Sequence, residues 1–126
     1  MRNFYADAWR DVRGTTAIEF AIVGPAFITL VIALVYLCMC LFAIGSIHYA
    51  VEAGARCAAV RTTECTDATS TLAYTKSQYF GPSSTPAFTY NPAAACGHSV
   101  SGSLSYAVDL GLRNVIIPIT ATACFP

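Results

Sequence analysis

Charge is what this chain has least of. Of 126 residues, 11% are Asp, Glu, Lys or Arg, against about 25% in ordinary soluble domains. From Phe20 to Ile47 there is none at all. The seven basic and seven acidic residues cancel, so no charged tail offers itself to nucleic acid or to a polyanion. Nor do the aromatic residues interleave with basic ones, as a nucleic-acid surface requires. A C-x-x-C pair is missing, and the two histidines, His48 and His98, stand far apart; both facts argue against a zinc site. There is no Ser/His/Asp set, no paired-carboxylate motif and no phosphate loop. The chain therefore reads as a non-enzyme, with no cofactor and no metal expected. Internal repeats are also lacking.

What is present is apolar. The chain is 56% hydrophobic with a mean hydropathy of +0.56, and the excess lies in the first half. The 28-residue run Phe20–Ile47 would span roughly 42 Å as a helix, more than the ~30 Å hydrocarbon core of a bilayer. It is too long for the apolar region of a removable secretory signal, about 7–15 residues, so the helix should stay with the mature protein. Gly24-Pro25 falls near its start, and a kink is expected there because proline lacks the N–H that the helix ladder needs. Met1 to Arg13 carries Arg2, Arg10 and Arg13. Basic residues flanking a first membrane segment tend to stay cytoplasmic, which places the rest of the chain on the exported side.

The helical pattern outlasts the apolar run. Ile44, Ile47, Val51, Ala55 and Ala58 share one face by 3-4 spacing. His48, Glu52 and Arg56 make a polar stripe on another. One helix from about residue 15 to 60 fits, spanning the membrane over about 20–45. Its small residues (Ala50, Ala53, Gly54, Ala55, Ala58, Ala59) leave room for a second layer. After a break at 62–66, a shorter helix is expected from about Asp67 to Phe80. It would be capped by Thr66 or Asp67, stopped by Gly81-Pro82, and have Leu72, Ala73, Lys76, Tyr79 and Phe80 on its inner face. Pro82 to Ala95 reads as a turn-rich linker in which Phe88-Thr89-Tyr90 makes a short edge strand. Val100 to Val108 and Val115 to Phe125 alternate as strands, with a turn near Asp109-Leu110-Gly111. Pro118 demands a free edge or a bulge in the last strand.

Four cysteines, Cys57, Cys65, Cys96 and Cys124, follow the apolar run. In a small exported region they read as two disulfides. Three connectivities are possible, and the favoured one is Cys57–Cys65 with Cys96–Cys124. The first pair flanks the helix break. The second lies at the open end of the expected hairpin, although the apolar parities of its strands forbid direct pairing of these two residues without a bulge or an offset turn. Cys38 and Cys40, inside the run, point to different helix faces and read as small apolar fillers. The fold expected is α+β: a leader over 1–14, a long helix over 15–60, and a small disulfide-stapled region over 61–126.

One octapeptide stands apart. Arg13-Gly14-Thr15-Thr16-Ala17-Ile18-Glu19-Phe20 sets a basic residue, a glycine, four residues, an acid and an aromatic in front of the apolar helix. A glycine offers a peptidase an unencumbered scissile bond. An acid inside a membrane segment is costly and usually has a partner. The pattern resembles the cleavage site of type IV pilin-like precursors. The aromatic directly after the acid resembles the Flp/Tad (tight adherence) branch. The string RGTTAIEFAIVGPAFITLVIALVY, continued to about Val60 through Gly54-Ala55-Arg56-Cys57-Ala58-Ala59-Val60, is similar to the TadE-like family of pseudopilins.

That resemblance implies a pilin-like fold and a chain in the bacterial inner membrane. Its N-terminus would be cytoplasmic and its C-terminal domain periplasmic, and the chain could enter the extracellular pilus. It implies cleavage between Gly14 and Thr15 by a prepilin peptidase, and a pairing of Glu19, beside Phe20, with the N-terminal amine of a neighbouring subunit. The implied partners are that peptidase, the major Flp-type pilin, a sister pseudopilin and the inner-membrane pilus assembly platform. The reading of another class is an uncleaved single-pass anchor whose exported domain is a binding or scaffold module of the envelope, with Glu19 reaching back to the cytoplasmic interface.

Overall fold

The structure, a computed structural model, describes residues 15–82, 85–109 and 113–126. The order of elements is helix α1 (Thr15–Val60), helix α2 (Ala68–Ser77), and strands β1 (Ala87–Ala94), β2 (Gly97–Asp109) and β3 (Asn114–Phe125). The chain is α+β. Its described residues divide into two compact units, 15–36 and 37–126, and α1 contributes to both.

In the second unit one face of α1 is buried against a three-stranded antiparallel sheet of order β1-β2-β3. Ala43, Ile47, Ala50, Val51 and Ala55 join Phe88, Val100, Leu104, Ile119 and Ala121 in a single core. The periodic face read from the sequence is this one. The polar stripe His48, Glu52 and Arg56 is exposed. Helix and sheet lie close together at Gly102 in the central strand. A Cβ there would lie 2.8 Å from the Phe88 ring and 3.0 Å from Val51 Cγ1. Gly102→Val is therefore expected to push α1 off the sheet and destabilise the fold by about 1–3 kcal/mol, the usual range for overpacking. A lowered denaturant midpoint of the detergent-solubilised chain would register it.

Helix α2 is shorter than its sequence pattern. It ends at Ser77 with Gln78 as C-cap, three residues before Phe80, so Gly81-Pro82 is not its immediate stop. Asp67 caps its start: Ser70 N–H donates to the Asp67 carboxylate at 2.7 Å, and the Ser70 side chain answers to the Asp67 backbone. Those bonds, the Ser70 backbone N–H first, hold the Asp67 carboxyl below its usual value. The depressed folded-state pKa means that the cap stabilises the helix above the ordinary carboxylate range. That contribution is lost as pH falls through the lowered value.

The inner face of α2 also differs from expectation. Thr71 and Thr75 are fully buried, whereas Ala73, Lys76 and Phe80 are exposed and Leu72 and Tyr79 are half-buried. The cause is the proximity of α1. A Cβ on Gly54 would overlap the Thr75 side chain, so only a small side chain fits between the helices. Thr75 satisfies its hydroxyl locally, by donating to the Thr71 carbonyl at 2.8 Å.

Most of the expected linker before Cys96 is strand: β1 runs over Ala87–Ala94 and tolerates Pro92 because it is an edge, with an irregularity between Asn91 and Ala94. Strands β2 and β3 pair without a break from His98↔Phe125 to Asp109↔Asn114. The apolar residues therefore match across them (Val100↔Ala123, Leu104↔Ile119, Tyr106↔Ile117), and no bulge is needed. Cys124 is opposite Ser99. Cys96 lies outside β2, in the turn that precedes it, so strand parity does not govern its bond to Cys124 (Cα–Cα 6.1 Å). Gly97 closes that turn at φ 109°, where any side chain would meet the Phe125 carbonyl. The other disulfide, Cys57–Cys65, ties the end of α1 to the turn that follows it (Cα–Cα 5.9 Å). Pro118 sits on the free edge strand β3, opposite Ser105. The expected turn residues Leu110 and Gly111 lie outside the described residues.

Candidate functional site

Helix α1 opens at Thr15, and Glu19 follows one turn later. Gly14 and the leader lie outside the described residues. Residues four apart share a helix face, and helical side chains lean toward the N-terminus. The Glu19 carboxylate thus projects over the turn that holds Thr15. Glu19 is exposed, and Phe20 beside it is 78% exposed. The Phe20 ring runs over Gly24, where an added Cβ would be 3.7 Å away.

The helix continues through Pro25 without interruption. The missing N–H leaves the Ala21 carbonyl without its ladder bond. One turn on, Thr29 Oγ1 donates to the Ala26 carbonyl at 2.9 Å. Around these residues Ile18, Ile22, Val23, Phe27, Ile28 and Leu30 are all exposed. So much uncovered apolar surface does not suit water, and from Thr16 the helix is long and apolar enough to cross a membrane. The site is thus an acid and an aromatic at the entrance of an otherwise apolar helix.

The second unit carries two further features. A groove of about 510 Å³ runs along α1 and is lined by Tyr49, Glu52, Ala53, Arg56, Cys57, Val60, Arg61 and Tyr74. Arg61 pairs with Glu64 at 3.4 Å, with both side chains more than half exposed, a geometry worth little in stability. His98 is in β2, and the Tyr90 hydroxyl lies 2.6 Å from its Nδ1, with the rings parallel. Sequence order hid that pair, because only the β1–β2 register brings the two residues near each other. Among the described residues no group of three or more His, Cys, Asp or Glu could hold a metal ion. Cys38 is exposed, while Cys40 packs against the core. Two residues of the packing had no signal in the sequence. They are Ser46, whose hydroxyl accepts the Phe80 N–H at 2.7 Å, and Gly102.

Residues 14–56 match the family model described as TadE-like protein. The match begins at the glycine of the octapeptide and ends in the part of α1 that packs on the sheet. No curated protein matches the chain, and neither does any solved structure.

Proposed function

We propose, from the premise that residues 14–56 are a TadE-like segment and tie the chain to Tad pilus systems, that the protein is a minor pseudopilin or assembly factor of a Tad-type (type IVb-like) pilus. It is inserted in the inner membrane with its N-terminus cytoplasmic. A prepilin peptidase cuts after Gly14 and leaves an amine on Thr15. The single observation that carries the reading is the family match over a helix that starts at Thr15 and holds Glu19 one turn further on.

The chemistry is a matter of charge. The cut removes Arg2, Arg10 and Arg13, which hold the cytoplasmic end, and supplies a cation where Glu19 needs one. In the bilayer Glu19 meets its own amine one turn away. In an assembly it meets the amine of a neighbouring subunit, with the major Flp-type pilin, a sister pseudopilin and the inner-membrane platform as the surrounding partners. The exported unit, stapled by its two disulfides, presents the surface that distinguishes this subunit from its neighbours. No enzymatic role is proposed.

Gly14→Ala tests the cut. Co-expressed with the peptidase, the wild-type chain should migrate as a shortened form, and the variant should remain full length in the membrane. A variant processed like wild type would remove Gly14 from the site.

A further inference from the structure

The loop after α2 holds an aromatic side chain in the open. Tyr79 turns inward onto the core with its hydroxyl buried, and the next residue, Phe80, is left 63% exposed. Phe80 is not loose, since its backbone N–H donates to Ser46 of α1. Its ring stands 6.4 Å from that of Tyr49, which is itself 54% exposed. Two neighbouring exposed rings, one tied by its backbone to a helix and the other on that helix, form a fixed apolar patch.

The level of the patch along α1 identifies what it meets. Leu37, Met39, Leu41 and Phe42 are exposed apolar residues of the same helix, and the uncharged run ends at Ile47. Ser46 and Tyr49 bracket that end. A run of 28 residues covers about 42 Å, the thickness of a bilayer with its headgroup layers. Its far end is therefore at headgroup level, where amphipathic rings concentrate. The chain also carries no Lys, Arg, Asp or Glu from Ser77 to Val108, so the loop brings no charge to that level.

We infer that Phe80 and Tyr49 form a second membrane contact, which seats the exported unit on the headgroup layer of the bilayer's outer face. The inference rests on the reading of α1 as a membrane span. Leaving the bilayer for a filament would then require releasing this patch as well as the helix.

The test uses full-length chains carrying a single tryptophan, with Trp9→Phe as background. They are reconstituted in phosphatidylcholine vesicles with and without bromine on the acyl chain near the headgroup. Phe80→Trp and Tyr49→Trp should each lose emission in the brominated vesicles and be blue-shifted relative to Thr62→Trp, which lies just beyond the end of α1. Leu34→Trp, at the middle of the run, reports the span itself, by loss of emission in vesicles whose acyl chains are brominated near their ends. Quenching at Leu34→Trp with Phe80→Trp and Tyr49→Trp behaving like Thr62→Trp would overturn the contact and leave the span standing. No quenching at Leu34→Trp would overturn both.

Discussion

Replacing Glu19 with valine is expected to leave the protein in the membrane and keep it out of pilus assembly. Insertion should not suffer, because an acid in an apolar helix opposes partition by a few kcal/mol and valine favours it. Assembly should suffer, because the Thr15 amine then loses its counter-charge in apolar surroundings. Removing one partner of a buried pair costs about 3–5 kcal/mol, on the order of 10²–10⁴-fold in the equilibrium for incorporation. Membrane fractionation and electron microscopy of pili in a strain carrying only the variant measure the two halves separately. Glu19→Asp, which keeps the charge on a shorter arm, should restore part of the assembly. An anchor that merely tolerates Glu19 at the interface would support normal piliation in both variants.

The second large effect is on stability. The pairing of Cys96 with Cys124 spans 28 residues of sequence, and that of Cys57 with Cys65 spans eight. Loop-closure entropy alone assigns about 3.6 kcal/mol to the first and about 2.5 kcal/mol to the second. The region after α1, residues 61–126, is small, and a domain below about 70–80 residues rarely draws more than about 3–5 kcal/mol from its core. Cys96→Ser with Cys124→Ser should therefore bring the region after α1 close to unfolding at growth temperature. Cys57→Ser with Cys65→Ser should weaken it less. Protease resistance of that region in membrane preparations should fall most for the first pair and less for the second.

The parts of this fold that could be read from the sequence are those where one face is buried by a regular period. In α1, Ile47, Val51, Ala55 and Ala58 repeat at helical spacing and are buried together. In β2 and β3 the alternating residues meet one another across the ladder. Reading failed where packing, not period, decides. Thr71 and Thr75 look like solvent residues, yet they are the inner face of α2 because Gly54 brings α1 too close for anything larger. Asn91 and Pro92 look like a turn, yet β1 runs through them, since an edge strand does not need every N–H. Of the candidate site, the order glycine, threonine, acid and aromatic was legible because it is local. The Tyr90–His98 pair and the Ser46–Phe80 bond were not, because each joins residues that only the tertiary fold brings together.

The central claim is that Met1–Gly14 is a leader and that the working protein begins at Thr15. Intact-mass measurement of the chain extracted from membranes of cells that express the prepilin peptidase tests it most directly. The account predicts a mature species with Thr15 as its first residue, carrying two disulfides. A full-length species that persists beside active peptidase would contradict it and leave a single-pass anchor in its place.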